Sequence, residues 1–284
     1  MPELPEIEII KRSLFKKINK AKIISIQINN YNLRYKIPKT FNKQLKNKKI
    51  LKISRRSKYL IFYFKDILLL VHLGMTGKLL VKNKKTSKTS FYYDLNIIPK
   101  HNHIYFTLNN GLTLIYNDVR RFGFFKLYNN KKLSEIKYIK KLGLEPLNKN
   151  FNLTYFKNFI KGRKKNIKSL LMDQTFVSGL GNIYVNEALF MSKIKPLRFC
   201  DNLNDVEIIC LIKSIKKILK LSISKGGSSI RDFKNTTGKS GNYQHFFYVY
   251  GKTNKMCSRI SCKGVIKKIL ISKRSSFYCD YCQA

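Results

Sequence analysis

The stretch HIYFTLNNGLTLIY, residues 103–116, decides the fold class of the first half of the chain. Two runs rich in β-branched and aromatic residues flank Asn-Asn-Gly at 109–111, the chemistry of a tight hairpin turn. Working outward, KIISIQI (22–28), KILKI (49–53), YLIFYF (59–64), ILLLVHL (67–73) and FFKLY (124–128) have the same character. Seven such runs joined by short turns predict a β-sandwich or barrel-like layer over about 22–128. The Lys/Ser/Thr stretch 82–90 reads as a surface loop.

On the N-terminal side, Ile7, Ile10, Leu14 and Ile18 recur at three and four, which predicts a helix over 5–18 with Pro5 in its first turn. Met1–Leu4 are expected to project off its N-terminus. On the C-terminal side, helical spacing holds from 132 to about 225. Leu153, Phe156, Phe159 and Ile160 mark one helix, and Ala188, Leu189 and Met191 close another. Ile208, Ile209, Leu211, Ile212, Ile215, Ile218 and Leu219 mark a third, with Lys213, Lys216, Lys217 and Lys220 interleaved. Cys200 and Cys210 fall on helical segments and read as core residues. Residues 226–245, rich in Gly, Ser, Thr and Asn, read as a loop. The expected organisation is α+β in three parts: a β domain (1–131), a helical domain with its loop (132–245) and a small cysteine unit (246–284).

Of 284 residues, 58 are Lys or Arg and 15 Asp or Glu, a formal charge of +43. Forty-seven of the basic residues are Lys, and Asn and Ile are abundant, as an A+T-rich coding sequence produces. Such bias does not explain the scarcity of acids. A charge this large repels itself unless a polyanion is near, so the composition points to nucleic acid without saying which. With 44% hydrophobic and 13% aromatic residues the chain is not disordered by composition. No run approaches the ~18 apolar residues of a membrane span. The start MPELPEIEII carries three glutamates and no basic leader, and the cysteines do not form a secreted framework, so an intracellular protein is expected.

Cys257-x4-Cys262-x16-Cys279-x2-Cys282 is the strongest single motif. Two close pairs with a hairpin-length spacer suit tetrahedral Zn–S coordination, a structural site with no position left for water. The alternative is a pair of disulfides or free thiols. At the other end, removal of Met1 exposes Pro2 as a secondary amine. An α-amino group with a pKa near ~8 is substantially unprotonated at neutral pH and can attack a sugar carbon. Glu3 beside it could move the proton. The plainer reading of Pro-Glu is a helix entry.

PELPE (2–6), RRSKYL (55–60), HLGMTG (72–77), RRFG (120–123), LGLEPL (142–147), GLGNIY (179–184) and the cysteine unit follow in one order. Together they resemble the bacterial formamidopyrimidine-DNA glycosylase family over essentially the whole chain. The resemblance implies a β-sandwich with a catalytic N-terminal helix, a helix-two-turn-helix domain and a C-terminal zinc finger. It implies a bifunctional glycosylase and AP lyase of base excision repair, removing formamidopyrimidines and 8-oxoguanine from double-stranded DNA. A cytoplasmic, DNA-associated monomer with one structural Zn2+ is expected. Pro2 is then the nucleophile, Glu3 its acid/base partner, Lys58 the lysine of β-elimination, and Arg274 a phosphate contact for δ-elimination. Asn182 matches a phosphate contact, Phe122 the wedge, Arg120 the partner of the orphaned base and Met75 the filler of the vacated space. His101 and Arg163 match DNA contacts, and 226–245 the segment that closes over the extruded base. His72 and His103 read as packed histidines. Without the resemblance, GLGN is a turn and cap, RRFG a basic turn with a core Phe, and Lys58 a surface lysine. Two departures stand out: C-x4-C replaces the usual C-x2-C, and Val119 stands where a proline usually precedes Arg120. Two alternatives are an endonuclease VIII-like specificity, disfavoured by PELPE and RRFG, and a non-catalytic zinc-ribbon binder, disfavoured by Pro2, Glu3 and Lys58.

Overall fold

A computed structural model describes residues 2–83, 98–130, 132–228 and 241–284. The chain divides into two compact units, Met1–Ile139 with Lys225–Gln244, and Lys140–Ser224 with His245–Ala284.

The first unit opens with helix α1 (Leu4–Ile18), capped by Glu3 and followed by Asn19. Pro in its first turn costs no hydrogen bond there, and Glu6 at the start with Lys16 and Lys17 at the end suits the helix dipole. Ile7, Ile10, Leu14 and Ile18 are all buried, as their spacing requires. Leu4 is wholly buried and Pro2 and Glu3 are buried too, so the segment before the helix does not project. The reason is that Leu4 already belongs to the helix and completes its apolar face.

Among the described residues eight strands follow: β1 (Ile23–Ile28), β2 (Lys52–Arg56), β3 (Tyr59–Tyr63), β4 (Ile67–His72), β5 (Lys78–Asn83), β6 (Asn102–Leu108), β7 (Leu112–Asn117) and β8 (Phe124–Asn129). A five-residue helix, α2 (Phe41–Leu45), lies between β1 and β2. The strands form two antiparallel four-stranded sheets, ordered β1-β6-β7-β5 and β2-β3-β4-β8. One apolar core takes Ile7 and Leu14 from α1, Phe41 from α2, and Phe62, Leu69, Phe106, Tyr116 and Phe125 from both sheets. The β6–β7 hairpin turns at Asn109-Asn110-Gly111, with Gly111 at φ +76° in the left-handed region glycine tolerates. β5 is an eighth strand that the run pattern did not single out. Among the described residues it pairs with β7 alone, and its burial fades from Lys78 to Asn83, so its sequence never alternates cleanly. Of the 82–90 loop, residues 84–90 lie outside the described residues.

After a short turn of helix, α3 (Lys137–Lys140), the second unit carries α4 (Leu153–Ile160), α5 (Ile167–Met172), α6 (Asn182–Met191) and α7 (Asp205–Ser224). Asn152 and Asn166 cap α4 and α5 by accepting from Tyr155 and Ser169 N–H. Cys200 is buried as expected, but Cys210 is exposed. It follows Ile209 on the solvent side of α7, whose buried face is Ile208, Leu211, Ile212 and Ile215. The unit ends in the hairpin β9 (Ile266–Ile271) and β10 (Arg274–Cys279). Its two-residue turn, Ser272 and Lys273, has both φ positive, the geometry that matches strand twist. Of the loop 226–245, residues 229–240 lie outside the described residues.

Candidate active site and nucleic-acid interface

In the first unit the N-terminal segment is fastened by carboxylates. Glu3 and Glu6 are 3% and 2% exposed. Glu3 N–H donates to Glu6 Oε2 at 2.8 Å, and Glu6 Oε1 accepts from Ser228 N–H at 2.9 Å and its hydroxyl at 3.1 Å. Glu6 thereby joins the residue that follows Pro2 to the root of the loop 226–245. The two ends of that loop also close on each other, with Tyr243 N–H donating to Gly227 O at 3.0 Å. Two residues further along α1, Glu8 accepts from Lys11 at 2.9 Å, Arg12 at 2.8 Å and Arg55 at 3.0 Å. Burial raises its pKa, but these bonds outweigh it and hold the carboxyl down at about 2. Arg55 also donates to Ser57 O at 3.0 Å. Ser57 sits at φ +55° in the β2–β3 turn, next to Lys58. Lys58 is 6% exposed and therefore not a surface lysine. His72 accepts from Gly74 N–H at 3.1 Å and stacks on Phe124. Burial and then the Lys58 charge push its pKa down to about 4, so it is neutral at pH 7.

Met75, Arg120 and Phe122 come together on two adjacent loops. The Arg120 guanidinium lies 4.5 Å from the Phe122 ring centre, and Nη1 is 3.2 Å from Met75 Sδ. Met75 and Phe122 are each 42% exposed, so Phe122 is not a core residue. Large apolar side chains held in solvent beside a cation are suited to stacking on bases. Gly74 and Gly123 let the two backbones meet, since a Cβ on Gly74 would lie 2.5 Å from Phe122 C. His101 ends a turn of 3-10 helix beside β6, and its carbonyl accepts from Asp118 N–H at 3.0 Å. His103 is buried, with Nε2 2.7 Å from Asp118 O. Asp118, wholly buried, was missed by sequence reasoning; its only signal is its place before the Arg pair.

In the second unit, Arg163 is exposed with its guanidinium 4.4 Å from the Phe159 ring centre. Asn182 opens α6 behind Gly181, and its amide donates to Ser275 O at 2.9 Å. Lys168 Nζ donates to the same carbonyl at 2.9 Å. Arg274, exposed, immediately precedes that residue. Lys168 is a second residue that sequence reasoning missed. Burial and then the Arg274 charge push its pKa down to about 8.

The four cysteine sulfurs lie within 4.8 Å of one another, with Cys262 3.6 Å from Cys279 and Cys257 3.9 Å from Cys282. None of the four is in a disulfide. Four sulfurs about 2.3 Å from a central zinc stand about 3.8 Å apart, so the set fits a tetrahedral ion. Among the described residues it is the only cluster that could hold a metal. The longer first loop bulges outward: Ile260 is 98% exposed, and Arg259 reaches back to the Phe190 and Met191 carbonyls at the end of α6. No helix among the described residues is long and apolar enough to cross a membrane.

Two family models match, the formamidopyrimidine-DNA glycosylase N-terminal domain over residues 1–125 and the formamidopyrimidine-DNA glycosylase H2TH domain over 142–234. The formamidopyrimidine-DNA glycosylase of Dinoroseobacter shibae is 38% identical, and that of Wolbachia pipientis subsp. Culex pipiens 40%, each alignment covering 100% of both chains. Among solved structures, a complex of the LlFpg protein with a THF-DNA and an inhibitor is similar at a TM-score of 0.87 and 37% identity, covering 100% of both chains. A complex of the Lactococcus lactis Fpg with DNA containing an abasic site reaches 0.86 at 36% identity, covering 99% of both.

Proposed function

The chain belongs to the formamidopyrimidine-DNA glycosylase family, whose activity is glycosylase and AP lyase, and on that premise we propose that Pro2 is its nucleophile. The observation that carries this reading is the seating of Pro2 and Glu3 at the head of α1, with Glu6 holding the Glu3 N–H. The freed Pro2 amine attacks C1′ of the damaged nucleotide, and the glycosidic bond breaks as the base leaves with a proton. Glu3 takes the proton from the attacking amine and passes it to the ring oxygen O4′, the C1′–O4′ bond breaks, and the opened sugar stays joined to the Pro2 nitrogen as an iminium, the Schiff base. Loss of a C2′ proton then expels the 3′ phosphate, with Lys58 serving this β-elimination, and Arg274 with Asn182 holds the phosphate for the δ step.

The substrates are formamidopyrimidines and 8-oxoguanine in duplex DNA. Extruding the base costs a few kcal/mol of stacking; Phe122 wedges into the stack, Met75 fills the vacated space, and Arg120 bonds the orphaned partner base. His101 and Arg163 contact the backbone. Cys257, Cys262, Cys279 and Cys282 hold one Zn2+, which fixes the hairpin carrying Arg274. The protein works as a monomer in the cytoplasm. Borohydride should trap an adduct on 8-oxoguanine DNA whose linked peptide begins at residue 2. An adduct mapping to Lys58, or trapping unchanged by Pro2→Gly, overturns the assignment.

A further inference from the structure

We propose that Asp118 is the positioning residue that holds Met75, Arg120 and Phe122 in register, and so sets which base opposite the lesion is accepted. The inference rests on the wedge reading above and deepens it. Asp118 is wholly buried, and its side chain is gripped by donors from three separate places. Oδ2 accepts from Tyr116 O–H at 2.7 Å and Gly123 N–H at 2.9 Å, while Oδ1 accepts from the Thr76 hydroxyl. The Thr76 oxygen in turn accepts from Arg120 N–H at 3.1 Å. One hydroxyl therefore links the loop of Met75, the carboxylate and the backbone of Arg120.

The main chain of Asp118 is used as fully. Its N–H donates to His101 O, and its carbonyl accepts from His103 Nε2 and from Arg121 N–H. A carbonyl can only accept, so His103 carries its proton on Nε2. Every first-unit residue that the wedge and its flank employ (Met75, His101, Arg120, Phe122) is thus within one bonded neighbour of Asp118.

The sequence around it explains why such a hub is needed. Val119, 52% exposed, leaves its φ free where a proline would lock it. Arg121 sits at φ +56°, a conformation that costs a side-chain-bearing residue energy and persists only when neighbours enforce it. The bonds from Arg121 N–H and Gly123 N–H to Asp118 supply that enforcement on either side of Phe122.

The test compares Asp118→Asn, Thr76→Val, Thr76→Ser and Arg120→Ala in the full-length protein. The readouts are single-turnover excision of 8-oxoguanine opposite C and opposite A, and thermal midpoint. Asp118→Asn turns an N–H toward the donors now bound by a carboxylate, and Thr76→Val removes the hydroxyl while keeping its bulk. Both are expected to shrink the C:A rate ratio by about ten- to hundred-fold, as loss of alignment does, to the level of Arg120→Ala. Thr76→Ser should keep the ratio. If Asp118→Asn does not fold, the Thr76 pair decides alone. Should Arg120→Ala narrow the ratio while Asp118→Asn and Thr76→Val leave it intact, the hub is only structural. If Arg120→Ala itself leaves the ratio unchanged, the wedge reading fails, and this one with it.

Discussion

Glu3 donates its N–H to one carboxylate while offering another beside Pro2, and that division of labour makes a prediction at the scale of one residue. Glu3→Gln keeps the backbone bond and the volume but cannot take up a proton. Base excision should fall by about two orders of magnitude or more, with affinity for abasic-site DNA changed little; equal loss of both would make Glu3 a structural cap. Lys168 makes another. Its pKa of about 8 places a proton loss just above neutrality, next to Arg274. Affinity for DNA should decline through a one-proton step near pH 8, and Lys168→Met should remove that step. Glu3 was legible from the sequence because PELPE is short and distinctive. Lys168 was not, because it is one of 47 lysines and only folding brings it into contact with Ser275.

At the scale of elements, α1 was legible down to its four buried aliphatics, while its acidic side was not. Glu8, to which the spacing of the aliphatics gives no role, ties α1 to β2 through Arg55. Its folded pKa of about 2 lies below its free value of about 4.5, so its contribution to stability is complete above pH 4.5 and is lost as pH falls toward 2. His72, at about 4 when folded against 6.5 when free, likewise favours folding fully above 6.5 and less as pH falls through 4. Acid unfolding should show both windows, and His72→Phe should abolish the upper one. Glu8→Gln should abolish the lower one and cost about 2–3 kcal/mol at pH 7; a denaturation series across pH 2–7 reads both. The cysteine hairpin was legible from spacing alone, because sulfur geometry tolerates loops of several lengths. What spacing could not say is that Arg259, in the longer loop, caps the end of α6. Metal analysis should give one zinc per chain, and chelation should weaken DNA binding while the β-sheet core keeps its unfolding transition. Full activity without metal would remove zinc from the account.

For the whole molecule, a charge of +43 overstates the grip on DNA. Affinity responds to the phosphates neutralised, with log K falling by about 0.9 per phosphate contact for each decade of salt. Six to ten contacts give a slope of roughly −5 to −9 and a loss of about 10³–10⁵ between 50 and 200 mM salt. A titration of duplex binding against salt should fall in that range; a much steeper slope would mean that the surface lysines bind as well. Chain order was a poor guide to compactness here. Residues 225–244 follow α7 in sequence but belong to the first unit, because Gly227 and Ser228 meet α1 at Glu6. Contacts of such long range leave no periodic mark on a sequence.

Pro2 lies buried beside Glu3 and Leu4, and this bears on how the protein matures. If Pro2 is the nucleophile proposed above, the Met1–Pro2 bond must be cut to liberate its amine, and that bond adjoins a buried residue. Under the proposed chemistry, removal of Met1 is expected to come before the N-terminal segment folds, while its leading residues are still open. Protein that keeps Met1 is then expected to lack the free Pro2 amine and to form no borohydride-trapped adduct. Its intact mass would exceed that of the active protein by one methionine residue.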